Sequence, residues 1–240
     1  LGQMTNRIIL GTAQFGEDYG ISNLSGKLNA NEVNEILEYS NSVGINTLDT
    51  AILYKSSVNA LSNFRLDKWN ICTKIPRIPE HINDIYSWLE SQIENSMKKL
   101  KIENFSNLLF HEPMQLMEKN GQLIWDSVQK LKIKMKIEKI GFSIYSTTEL
   151  DELLNNYIPE IVQVPYNMLD QRIVISGWLE ELIKLKIEVH ARSIFLQGLL
   201  LMTKNERPKK FSKWSDIWTQ WEKYLKSNNF SALQASLAFV

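Results

Sequence analysis

The chain has 240 residues, of which 44% are hydrophobic and 22% charged, an ordinary globular composition that excludes disordered and fibrous classes. Twenty-seven basic residues balance 27 acidic ones, so no basic surplus invites nucleic acid or an anionic membrane surface. The single cysteine, Cys72, cannot close an internal disulfide, no leader-like segment opens the chain and no apolar run approaches a membrane span, which together point to a cytoplasmic protein.

Short β-like runs alternate with longer amphipathic stretches. Arg7–Leu10 runs into Gly11 and Thr12 and precedes a helix over 31–43. Ile45–Asp49 precedes a helix over 56–64, and Trp69–Lys74 precedes one over 82–100. In that third helix Ile82, Ile85, Leu89, Ile93, Met97 and Leu100 recur at three- and four-residue intervals, one apolar stripe. Ser106–His111 is followed by a helix over 120–133, Ile137–Ser143 by one over 147–156, Glu160–Pro165 by one over 171–185, and Glu188–Ile194 by one over 212–226. The lysine-rich run Lys130–Lys139 reads as a helix end and loop meeting water. Ser231–Val240 reads as an apolar helix that stops without a cap, and no eighth strand is expected after Ser193. The chain is therefore expected to be incomplete at its C-terminus, and Leu1 ahead of Met4 suggests a few stray residues at its N-terminus.

Seven consecutive strand–helix units must cross over between strands, which gives a parallel sheet in one α/β domain spanning 1–240. An open doubly wound sheet keeps its chemistry in one crevice, whereas a (β/α)8 barrel collects residues from many strand ends on one face. Asp49, Lys74, His111, Ser143 and Gln163 are polar residues at or near the ends of five different strands, and no G-x-G-x-x-G follows the first strand. The expected fold is a (β/α)8-type barrel with seven units present, and its first and seventh strands should border a gap.

Taken singly, each polar residue has an ordinary reading: Asp49 as a cap, Lys74 as a snorkelling lysine, His111 as a structural histidine. Their conjunction with Tyr54 on one barrel face is the stronger signal. Cys72 lies two residues before Lys74, on the same strand face, and reads as core. His81 and His190 have no metal-ligand spacing around them. Trp214, Trp218, Trp221 and Tyr224 form a stripe suited to a helix packed on the barrel, and Gln14–Gly20 should rim the mouth.

These residues resemble the motifs of the aldo-keto reductase superfamily along essentially the whole chain. The D-T-A-x-x-Y pattern stands as Asp49 to Tyr54, T-K as Thr73–Lys74, and a histidine shortly before proline as His111 and Pro113. I-G-x-S is Ile140 to Ser143, Q-x-x-Y-N is Gln163 to Asn167, and the later serine-to-glycine segment runs from Ser193 to Gly198 and Leu199–Leu200.

The resemblance implies NAD(P)H-dependent reduction of an aldehyde, ketone or sugar carbonyl, with a small-molecule substrate as partner. Tyr54 would be the general acid, Lys74 and Asp49 its support, and His111 a second donor to the carbonyl oxygen. An ammonium roughly 4 Å away is worth on the order of 4 kcal/mol at an effective dielectric of about 20, enough to bring a phenol of pKa about 10 near neutrality. Gly11, Thr12, Asp49, Ser143, Gln163, Arg192, Ser193 and Gly198 are the implied cofactor contacts. Ile144 follows Ser143 where many members have asparagine. Arg192 stands where many carry a tyrosine stacked on the nicotinamide, and its other reading is a partner for phosphate or carboxylate. NADP(H) is implied over NAD(H), although the arginine-bearing segment that would set the choice is not in the chain. Two other readings stay open: a non-catalytic, nucleotide-sensing or interaction relative, and a barrel enzyme that uses Lys74 as a Schiff base.

Overall fold

A computed structural model describes residues 7–240, so the stray N-terminal residues expected before Met4 lie outside the described residues. Strands and helices alternate as β1 (Leu10–Gly11), α1 (Ala30–Ser42), β2 (Thr47–Asp49), α2 (Lys55–Leu61), β3 (Asn70–Ile75), α3 (Ile85–Leu100), β4 (Asn107–Phe110) and α4 (Gly121–Lys134). They continue as β5 (Lys139–Ser143), α5 (Thr148–Leu153), β6 (Ile161–Pro165), α6 (Arg172–Ile175), α7 (Trp178–Lys184), β7 (Glu188–Arg192), α8 (Ser215–Asn228) and α9 (Ala232–Phe239).

Two of these differ from the sequence reading. The stretch 171–185 is two helices because Gly177 enters the left-handed region at φ 81°, which breaks the run between α6 and α7. The first strand is only Leu10–Gly11, paired with Leu48 and Asp49, because it has one neighbour and β2 is itself three residues long.

All seven strands are parallel and pair in sequence order, β1 to β7. The sheet is an incomplete (β/α)8 barrel. Its curl brings β6 back toward β2, where Gln163 Nε2 donates to Asp49 Oδ1 at 3.0 Å. Among the described residues β1 and β7 have no strand between them, as expected. The C-terminal end of α9 lies beside that opening, where Arg7 donates to the Val240 carbonyl at 3.3 Å and Leu237 joins Ile9, Val189 and Ile194 in lining a cavity.

Side chains alternate faces along each strand. The outward set, including Leu48, Ile71, Leu108, Phe110, Ile140, Phe142 and Val162, packs against the apolar stripes of the helices as one core. The inward set builds the barrel floor from Cys72, Leu109 and Ile161, all fully buried. Gly141 belongs to that inward set, and only glycine fits there: a Cβ would stand 1.8 Å from the Ile161 carbonyl oxygen. A second cluster joins Leu199, Leu200 and Met202 to Trp218 and Trp221 of α8 and Ala235 of α9, with Trp221 Nε1 donating to the Leu200 carbonyl at 3.1 Å. Trp214 and Tyr224 stay substantially exposed. The lysine-rich run is a solvated helix end and loop, with Lys132 paired to Glu160 and Lys134 to Glu90, both at 2.6 Å.

Candidate active site

Two residues beyond the floor positions of β3, β4 and β6 come Lys74, His111 and Gln163, so the pleat carries polar groups to the mouth directly above apolar ones. Ser143 follows Gly141 in the same way, and Asp49 ends β2. His111 lies one residue past β4 and is held by its backbone N–H, which donates to the Ile75 carbonyl at 3.0 Å. Tyr54 immediately precedes α2.

The charges at the mouth are interlocked. Lys74 Nζ donates to both Asp49 carboxylate oxygens at 2.8 Å and to the Thr50 carbonyl at 2.9 Å. Gln163 completes the set by donating to Asp49 Oδ1, and it accepts from Ser143 Oγ at 3.3 Å. Burial alone would lower the Lys74 ammonium, but the attraction of Asp49 overrides it and holds the group above its ordinary value. A lysine so charged is a poor Schiff-base nucleophile, which removes that reading.

Tyr54 packs edge-on against His111, ring centroids 6.1 Å apart, with Lys74 Nζ 6.0 Å from the Tyr54 ring. The expectation that Lys74 brings Tyr54 near neutrality is corrected. Burial pushes the phenol above its ordinary value, Lys74 offsets that only partly, and the Asp49 charge opposes Lys74. The phenol stays a protonated donor. Burial lowers the His111 imidazole, and Lys74 and Arg192 add to the effect against Glu112. His111 is thus a neutral imidazole at neutral pH, with a buried Nδ1 that has no partner. Burial also pushes the Cys72 thiol well up, which fits an inert floor residue.

The remaining expected residues divide. Thr12 is buried, with its hydroxyl donating to the Asp49 carbonyl at 3.0 Å and accepting from Ser57 Oγ at 3.1 Å, so it braces the end of β2. Gly11 has open space where a Cβ would be. Arg192, at the end of β7, lies over the Tyr145 ring at 4.3 Å and donates to the Ile144 carbonyl at 2.8 Å. Ser193 is left-handed (φ 57°), and its carbonyl accepts from Asn167 Nδ2 at 3.0 Å. Gly198 (φ 88°) lies under Ser22, whose Oγ would be 1.7 Å from any Cβ there. The sequence reading missed Ser57, Tyr145 and the bracing role of Asn167. Asn167 had a signal, because it stands in the quoted Q-x-x-Y-N motif; the other two had none.

The donor set suits a nicotinamide carboxamide. Ser143 Oγ gives its one proton to Gln163 and keeps its acceptor lone pairs, while the Gln163 amide keeps one N–H beyond its bond to Asp49. Among the described residues no cluster of His, Cys, Asp and Glu could hold a metal ion, and no helix is long and apolar enough to cross a membrane.

A family model described as the aldo/keto reductase family matches residues 7–240. Among solved structures, a glycerol dehydrogenase from Gluconobacter oxydans is similar with a TM-score of 0.68 at 21% identity, over 94% of this chain and 76% of that one. An aldo-keto reductase from Bacillus halodurans in its holo form has a TM-score of 0.66 at 18% identity, over 85% of this chain and 66% of that one. At these identities the likeness is one of fold. No curated protein matches the sequence.

Proposed function

Because the chain belongs to the aldo/keto reductase family, whose activity is the oxidoreduction of carbonyl compounds, we propose that it reduces an aldehyde, ketone or sugar carbonyl to an alcohol with Tyr54 as general acid. The observation that carries the reading is the Lys74–Asp49 ion pair at 2.8 Å, set at the same mouth as the Tyr54–His111 pair.

Ser143 and Gln163 would hold the carboxamide of a nicotinamide dinucleotide, the segment from Arg192 and Ser193 to Gly198 its phosphates, and Gly11, Thr12 and Asp49 the neighbouring wall. When bound, that group supplies the hydride. NADPH in preference to NADH, and a cytoplasmic site of action, are inferred from the resemblance and the composition.

The chain's own residues handle the proton and the developing charge. The Tyr54 hydroxyl has no acceptor within the protein among the described residues, so its proton is available to a carbonyl oxygen. Giving it up leaves a phenolate, which the nearby Lys74 ammonium stabilises. His111, neutral and half-buried, adds a second donor and fixes the carbonyl's direction. Asp49 keeps Lys74 charged and in place.

The test is to incubate the protein with NADPH, then NADH, and a panel of aldehydes, ketones and sugars, following loss of reduced-nicotinamide absorbance. Substrate-dependent oxidation that disappears in Tyr54→Phe supports the reading. Dinucleotide binding without turnover of any carbonyl would favour a non-catalytic, nucleotide-sensing role.

A further inference from the structure

We propose that Ser57 is a positioning residue for the general acid: its buried hydroxyl fastens the first turn of α2, and with it Tyr54, to the end of β2 through Thr12. The inference rests on the carbonyl-reducing reading above and says how this chain sets the acid at the mouth.

No hydrogen bond locates the Tyr54 side chain. Among the described residues its hydroxyl has no partner within the protein, and its ring meets His111 only edge-on. Its placement is therefore inherited from the backbone. The approach to α2 is tied to β3, since the Thr50 and Ile52 N–H groups donate to the Cys72 and Lys74 carbonyls at 2.9 and 3.2 Å. Those bonds stop two residues before Tyr54. The helix that follows has seven residues and no side-chain cap at its start. With that attachment alone so short a helix could pivot, and a second anchor is needed to set its direction.

Ser57 supplies the second anchor, in the first turn of α2. It is fully buried, and its one proton is shared between the Thr12 carbonyl at 2.7 Å and the Thr12 hydroxyl oxygen at 3.1 Å. Thr12 is equally buried and is clamped to the Asp49 carbonyl by both its N–H and its hydroxyl, each at 3.0 Å. The loop after Thr12 lies directly against the same helical turn: a Cβ on Gly16 would stand 2.2 Å from the Ser56 carbonyl carbon and 2.4 Å from the Ser57 nitrogen.

These contacts close a ring, from Tyr54 to Ser57 along α2, from Ser57 to Thr12, from Thr12 to Asp49, and from Asp49 to Lys74. The acid and the ammonium that stabilises its phenolate are thereby referred to the same few atoms. A misplacement of about 1 Å can cost about 10²-fold in rate, so a buried link of this kind bears on the chemistry. The Thr12 carbonyl also accepts from the Phe15 N–H at 3.0 Å, and Thr12 keeps both bonds to Asp49 without Ser57. Removing the Ser57 hydroxyl therefore loosens α2 without dismantling what it rests on.

The test is a double-mutant cycle. Ser57→Ala should lower kcat about tenfold or more, while KM for the carbonyl and Kd for NADPH stay within about twofold. Placed in Tyr54→Phe, the same change should cost less than about twofold, because a residue that acts through Tyr54 then has nothing left to position. An equal loss in both backgrounds overturns the proposal, and so does an unchanged kcat in the parent protein. Ser57→Cys, of similar size but a weak donor, should follow Ser57→Ala and takes its place in the cycle if the alanine variant does not fold. Failure of both variants to fold would assign the hydroxyl to the fold as a whole and overturn a role exercised on Tyr54. Should the parent protein reduce no carbonyl, the carbonyl-reducing reading fails separately, and the positional claim is read from NMR of ring-labelled tyrosine. The signal absent from Tyr54→Phe should shift in Ser57→Ala, since the edge-on His111 ring 6.1 Å away makes it sensitive to displacement; an unmoved signal overturns the proposal.

Discussion

Gln163 Nε2 donates to Asp49 Oδ1 at 3.0 Å across 114 positions of sequence, joining β6 to β2 over the mouth of the barrel. The two strands are not neighbours in the sheet, so this bond depends on the curl as a whole. A hydrogen bond to a charged group contributes about 1.5–3 kcal/mol. Gln163→Leu is accordingly expected to lower unfolding stability by about 2 kcal/mol, read as a shift in urea midpoint at unchanged m. An unchanged midpoint would show that water replaces the amide without loss.

Tyr54→Phe should reduce carbonyl turnover by roughly 10²–10⁴-fold, the usual contribution of a general acid, while the dissociation constant for NADPH changes little. The phenol's proton is needed only as charge develops on the carbonyl oxygen. Single-turnover kinetics beside a fluorescence titration of the dinucleotide separate the two effects, and comparable losses in both would assign Tyr54 to binding.

Removing one partner of the Lys74–Asp49 pair strands the other. Lys74→Met is expected to destabilise by about 3–5 kcal/mol, because Asp49 keeps a charge with its cation gone. Adding Asp49→Asn to the same chain should recover part of that loss, which makes the two changes strongly non-additive. Additive losses in a denaturant double-mutant cycle would mean that the pair is not energetically coupled.

At the other end of the barrel, Glu188 hydrogen-bonds His190 at 2.6 Å and pairs with Lys139, and its carboxyl is lowered to about 2, with the His190 bond first among the causes. A folded-state value below the unfolded one means that the unfolded chain takes up a proton first as acid is added. The contribution is therefore complete above the unfolded value of about 4.5 and is lost as pH falls from there toward 2. Glu188→Gln should flatten the stability profile across that window. Thermal melts of both proteins in the same buffers from pH 2 to 7 read this directly.

Gly141→Ala should cost about 3 kcal/mol or prevent folding, since the new Cβ would lie 1.8 Å from the Ile161 carbonyl and must push β5 from β6. Gly11→Ala supplies the contrast: nothing stands within 4 Å, and the expected change is under about 0.5 kcal/mol. Equal midpoints for the two variants would show that the barrel wall yields more readily than its geometry implies.

The sequence made the parallel sheet and most of the mouth legible for one physical reason. From β2 to β6, each strand is a largely apolar run with a residue able to carry chemistry at or near its end, and alternation along the pleat puts that residue on a known face. Asp49, Lys74, His111, Ser143 and Gln163 were all visible in this way. What stayed hidden depends on how loops fold back. Tyr145 meets Arg192 across 47 positions, and Ser57 reaches Thr12 across 45; neither pairing has a period to announce it. The state of Tyr54 was misjudged because a sequence shows that a lysine is near but not that a carboxylate shares it or that the phenol is half-buried.

Every ladder in the sheet joins strands adjacent in sequence, β1 with β2 through β6 with β7. The chain can therefore assemble its wall by adding one unit to the last, closing only short loops at each step. Contacts across the mouth must come late, once several units already curve together. On that route the linkage between Gln163 and Asp49 forms after the rate-limiting crossing, so weakening it quickens escape from the native state and leaves the speed of arrival nearly untouched. The polar centre at the mouth would then act as a latch on the finished wall, and the nucleus would lie in the apolar contacts between neighbouring units.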